Sequence, residues 1–233
     1  MPYRRLPKTD SARLKALKTV IAQGRTDGIR STVVSQKSQF EAQTLLQKYE
    51  QALFEYKNAA SKQSAFSKKI QLHAPKARLY VSHFIQVLNL SVIRGEINAE
   101  QKSYYGLGTE SNTVPDLSTD QRVVEWGRKI IKGEMMRQQH GGAPIYNPSI
   151  AKVRAYFDPF ESDMEELKIQ KHNVNRFQKE TNKVREQVDE ILLNIWNQVE
   201  NAFVEQPLAE RLESCKKYGL IYYYRRGETP IVA

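Results

Sequence analysis

Val174, Phe177, Thr181, Val184, Val188, Ile191, Ile195, Val199 and Ala202 recur at steps of three and four. That period gathers them on one face of an α-helix and is incompatible with a strand, whose faces alternate at every residue. With Ser162 and Glu165 as a capping box, the helix would run from Asp163 to Glu205, ~60 Å at 1.5 Å per residue. A second seam reads Ala42, Leu46, Tyr49, Leu53, Tyr56, Ala60, Gln63, Ser67 and Ile70, opened by a Ser38/Glu41 box. Two amphipathic rods near opposite ends of a chain must hide their apolar edges against a shared interior.

The remaining segments fit around these two. Thr9 or Asp10 caps a helix to about Gln23 with Leu14, Leu17, Val20 and Ile21 on its inner side. Pro75 is expected to end the second helix and open a third. The third is apolar around most of its circumference between Leu79 and Ile93, as a central helix would be. Residues 103–118 form the longest irregular stretch. Ser118 with Gln121 then starts a fourth helix, with Val123, Val124, Gly127, Ile130, Ile131 and Met135 inward and Gly141-Gly142 as its stop. Residues 149–157 read equally as short helix or strand, and Asp158-Pro159 as a turn. Pro207 to Gly219 is a short helix. Leu220–Tyr224 reads as a strand, whose partner would be Ile231-Val232, the 153–157 segment or another subunit.

The expected fold is therefore all-α: an elongated up-and-down bundle of four main helices, with short accessory helices and a C-terminal Tyr-rich strand. Residues 1–30 read as a basic N-terminal helical arm and residues 31–233 as a single helical-bundle domain. The seams serve an internal bundle, with a dimer as the alternative use.

The net charge is +10, and residues 1–30 hold eight Lys/Arg against two Asp/Glu. A basic arm on a nearly neutral body is a weaker nucleic-acid signal than a uniformly basic face. Its candidate contacts are Arg4, Arg5, Lys8, Arg13, Lys15 and Lys18, joined by Arg225 and Arg226 after the tyrosines Tyr222–Tyr224. Tyr104, Tyr105 and Tyr146, in loops, are candidate protein contacts. The stretch Leu79–Ile93 is too short and too polar to span a bilayer, and no apolar signal region follows the basic start.

No spacing for catalysis emerges. Gly106-Leu-Gly108 lacks the rest of a nucleotide loop, and no phosphate-binding loop is written elsewhere. The residues three before His73, His83, His140 and His172 are Ile70, Tyr80, Arg137 and Ile169, so the Glu-x-x-His pairs of a di-metal bundle are missing. His83, with Gln86 and Asn89 at one-turn spacing, reads as a satisfied core histidine. The single Cys215 reads as a small core residue and allows no intrachain disulfide. Glu165/Glu166 and Asp189/Glu190 read as solvated helix charges. No cofactor and no metal is expected.

The opening Met-Pro-Tyr-Arg-Arg-Leu-Pro-Lys-Thr-Asp-Ser-Ala-Arg-Leu-Lys-Ala-Leu-Lys, with Gly133-Glu134 and Gly141-Gly142-Ala-Pro-Ile-Tyr-Asn-Pro-Ser149, resembles an uncharacterised bacteroidete protein family. The resemblance implies a bacterial, cytoplasmic source and brings no activity, ligand or site. The functional expectation is a non-catalytic interaction or structural protein that self-associates or takes a protein partner. The alternative is a nucleic-acid binder using the basic arm.

Overall fold

The computed structural model describes residues 2–28 and 33–224. Arg225, Arg226 and Ile231-Val232 lie outside the described residues. The protein is all-α, about three quarters helical, with long helices packed on one another and one short two-stranded sheet. In chain order it has β1 (Tyr3–Arg4), α1 (Asp10–Asp27), α2 (Gln36–Ile93), a 3-10 helix (Ala99–Tyr105), α3 (Asp120–Gln139), α4 (Ile150–Ala202), α5 (Leu208–Lys217) and β2 (Tyr222–Tyr223). It forms two compact units, the first of residues 1–59 and 173–233, the second of residues 60–172. The single domain expected over residues 31–233 is thus divided. The helix of the expected arm buries its apolar face within the first unit.

Two prolines read as helix ends are interior to helices instead. Pro75 lies within α2 and Pro159 within α4. An interior proline loses a backbone hydrogen bond and costs about 3 kcal/mol. Ile70, Ala74, Ala77 and Val81 around Pro75, and Phe157 and Phe160 around Pro159, are all buried in one core. Burying the Ile70, Val81, Phe157 and Phe160 side chains contributes about 1.5–3 kcal/mol each. Packing therefore outweighs the local rule. The same continuity makes 150–157 helical rather than extended, and places the expected Ser162 cap inside α4.

In the first unit, α1 supplies Ala16, Leu17, Val20 and Ile21, α2 supplies Ala42, Tyr49 and Leu53, and α4 supplies Val188, Ile191, Leu192, Ile195, Trp196 and Val199. Cys215 and Tyr218 close this core from the C-terminal side. Leu46 and Val184 pack against it, so the parts of both long seams in this unit face inward as their period requires, except Ala202 at the end of α4, which is exposed. Polar links fix the register. Thr181 Oγ1 shares its proton between the Phe177 carbonyl oxygen at 2.8 Å and the Ala52 carbonyl oxygen at 3.2 Å, and Tyr49 Oη donates to Asp10 Oδ1 at 2.7 Å. Thr9 caps α1 by accepting from the Ala12 amide, while Ser35, not Ser38, caps α2. β2 pairs antiparallel with β1, Tyr3 facing Tyr223, a partner outside the three expected, and the 153–157 segment is helical instead.

In the second unit, Phe84, Ile85 and Leu88 of α2, Val123 and Ile130 of α3, and Val153, Phe157 and Phe160 of α4 form the core. Gly127 lets α3 approach closely, since a Cβ there would collide with the Phe157 ring. The helical stretch Leu79–Ile93 is less central than expected: Leu79, Leu90 and Ile93 stay exposed. Met135, expected inward, is also exposed, while Gly133, Glu134 and Arg137 are buried in its stead. The irregular stretch 103–118 is shortened by the 3-10 helix, and α3 is capped by Thr119 rather than Ser118.

Candidate functional site

The basic N-terminal side chains are largely committed to the fold of the first unit. Arg13 donates from Nε and Nη2 to the two oxygens of Asp189, both at 2.7 Å. Arg4 pairs with Glu200 at 2.9 Å, and Lys18 with Glu50 at 2.7 Å. Arg5 lies over the Tyr223 ring, 5.2 Å from its centroid. Lys8 and Lys15 remain exposed, without an ion pair among the described residues. Half of the six candidate contacts there are neutralised by neighbouring acids, a cost that phosphate contacts would have to repay. Asp189, read as a solvated charge, is thereby a structural partner.

The three loop tyrosines separate into different roles. Tyr146 is 82% exposed. Tyr104 is half-buried and stacked on His140, with ring centroids 5.3 Å apart. Tyr105 is fully buried and cannot meet a partner, contrary to its reading as a contact residue. Its hydroxyl donates to Glu134 and accepts from Arg137 Nε at 2.8 Å.

That tyrosine belongs to a buried charged cluster that the sequence reading missed. Glu134 and Arg137 are 1% and 2% exposed and paired at 3.0 Å. Gln138 and the Ile145 amide also donate to Glu134, and Arg137 Nη2 donates to the Ala143 carbonyl at 2.6 Å. Burial alone would raise the Glu134 pKa. The hydrogen bonds from Tyr105, Gln138 and Ile145, with the Arg137 charge, outweigh it and hold the carboxyl below its ordinary value. Burial also works against the charge on Arg137, but Tyr105 and Glu134 raise its pKa above the usual guanidinium value. Burial, reinforced by Glu134, keeps the Tyr105 phenol protonated. The legible signal was the α3 stripe itself: 123, 127, 130, 134 and 137 follow the same four–three steps.

This cluster backs a cleft of about 670 Å³ within the second unit. Val87, Leu90 and Ser91 of α2, Arg94 beyond it, Arg137 and Tyr146 are among its walls. Along α2 in the same unit, Leu72, Leu79, Leu90 and Ile93 are 72%, 61%, 50% and 63% exposed. Leu72, Leu79 and Ile93 fall on one seven-residue repeat, with Leu90 beside it. Leu90 belongs to both the stripe and the cleft.

Of the other singled-out residues, Asn89 is buried and its Oδ1 has no partner among the described residues. Gln86 bonds Ser82 and Asn89 bonds the Asn112 carbonyl, so neither completes a pocket around the half-buried His83. Cys215 is buried, which pushes its thiol pKa up. No group of three or more His, Cys, Asp or Glu side chains among the described residues could hold a metal ion. No helix among them is long and apolar enough to cross a membrane. No protein-family model, curated protein or solved structure matches the chain.

Proposed function

We propose that this is a non-catalytic interaction protein that associates with a second copy of itself through the outer face of α2 in the second unit. The observation that carries this reading is the exposed stripe Leu72, Leu79, Leu90 and Ile93. Single exposed aliphatic residues are ordinary, but four on one helical face, three of them on a heptad repeat that Gln86 interrupts, suit a facing helix. The nucleic-acid alternative is weakened by the ion pairs of Arg4, Arg13 and Lys18.

Cysteine cross-linking tests the association. The native Cys215 is buried, so an added cysteine at Leu79 is the accessible thiol. Mild oxidation of Leu79→Cys should trap a covalent dimer, whereas Lys132→Cys, exposed on α3, should not. Equal trapping at both positions would contradict the reading.

A further inference from the structure

We infer that the cleft of the second unit binds a carboxylate carried on an apolar body, and that Arg137 Nη1 is the group that holds it. This goes beyond self-association and does not depend on it.

The guanidinium of Arg137 carries five N–H donors. Its Nε and Nη2 are spent on Tyr105, Glu134 and the Ala143 carbonyl. Nη1 makes no hydrogen bond with any described residue, although the side chain is only 2% exposed and lines the cleft. Unlike the buried unpartnered atoms Arg78 Nε, Asn89 Oδ1 and Trp196 Nε1, this nitrogen keeps solvent access, so its acceptor in the cleft comes from solvent or a ligand. The guanidinium is already held by acceptors from the 3-10 helix, α3 and the loop after α3. A ligand therefore does not have to order it on binding.

Charge selects the ligand. Arg94, at the cleft wall, gives Nε and Nη2 to Glu96 at 2.7 and 3.0 Å and likewise leaves its Nη1 unengaged by the protein. Glu96 is the one carboxylate among the lining residues, and it is already paired. An incoming acid meets guanidinium edges and no unpaired negative charge, whereas a cation would find no free carboxylate to pair with. Because Glu96 and Glu134 balance the two arginines, the site suits a single negative charge better than a dianionic phosphate. Leu90, Ile97, Pro144, Ile145 and Tyr146 supply apolar wall for the rest of the ligand. The volume lies within the range of small-ligand pockets.

Gly142 keeps the site open, since a Cβ there would stand 2.7 Å from Nη1.

The test is a calorimetric titration of the full chain carrying Leu79→Lys, a position outside the cleft, so that loss of self-association does not affect the readout. The probes are 4-phenylbutyrate, its amide, and a short peptide ending in Leu-Phe with a free or amidated C-terminus. Saturable binding of an acid, with its amide at least about tenfold weaker, is expected, because the amide offers the guanidinium a neutral acceptor in place of a charged one. A tighter peptide acid would identify a partner's C-terminus as the source, and a tighter phenylbutyrate a free small acid. Arg137→Gln strands Glu134 and can unfold the unit, so Arg94→Gln and Tyr146→Ala are titrated beside it. Each should weaken the acid severalfold at an unchanged melting temperature. No saturation by either acid, equal affinity for acid and amide, or unchanged affinity in both surface variants would overturn the inference.

Discussion

Arg13 grips Asp189 with two parallel hydrogen bonds of 2.7 Å, tying α1 to α4 inside the first unit. Such forked pairs are the stronger kind of ion pair, and this one is only partly exposed. Beside it Arg185 binds both oxygens of Asp10, whose carboxyl is held below its usual range chiefly by that bond. Asp189→Asn should therefore lower stability by about 1 kcal/mol, read as a shifted urea midpoint with unchanged slope. An unchanged midpoint would return Arg13 to the pool of free surface cations.

Within the second unit, Glu134→Leu should cost about 3–5 kcal/mol, because Arg137 would be left charged and unpaired in the core. Tyr105→Phe should cost less, removing one donor from Glu134 and one acceptor from Arg137. Chemical denaturation of both variants would show the order; a larger loss for Tyr105→Phe would contradict the description of the cluster.

The same carboxylate makes a pH prediction. Its pKa is depressed in the folded state, so the unfolded chain binds the proton more tightly. Its stabilisation is complete above the ordinary glutamate range and is lost as pH falls through and below that range. The melting temperature of the wild type should drop between about pH 6 and about pH 3, and Glu134→Gln should flatten part of that drop. A parallel drop in both proteins would assign the acid sensitivity to other groups.

Packing and propensity oppose each other at Gly127. In an open helix Gly→Ala would stabilise by about 1 kcal/mol. Here the added methyl meets the Phe157 ring, so Gly127→Ala should destabilise by about 1–3 kcal/mol. At Pro75, whose ring is exposed, Pro75→Ala should do the opposite and raise the melting temperature by restoring a helical hydrogen bond. Thermal denaturation distinguishes both signs.

These residues also mark what the sequence revealed. The faces containing Leu17, Val20, Leu53, Val188 and Ile195 were readable because burial follows helical period directly. Pro75 and Pro159 misled, since a local penalty of a few kcal/mol was weighed without the buried side chains on either side of it. Glu134 and Arg137 stand at i and i+3, a spacing common to solvent-facing helix pairs, and carry no local mark of burial. Only their continuation of the Val123–Gly127–Ile130 stripe betrayed them, and a charge on an apolar stripe is easily set aside in favour of Met135. The strand pairing was not legible, because Tyr3 and Tyr223 lie at opposite ends of the sequence and carry no pattern that names one another. Of the cleft, Tyr146 was marked in advance and Arg137 was not.

The most direct test of the functional account is sedimentation velocity of the wild type and Leu79→Lys over a wide concentration range. Self-association through the α2 stripe requires the wild-type sedimentation coefficient to rise with concentration, and the variant to remain at the monomer value with unchanged helicity. A wild type that stays monomeric throughout, or a variant that associates as strongly, would contradict it.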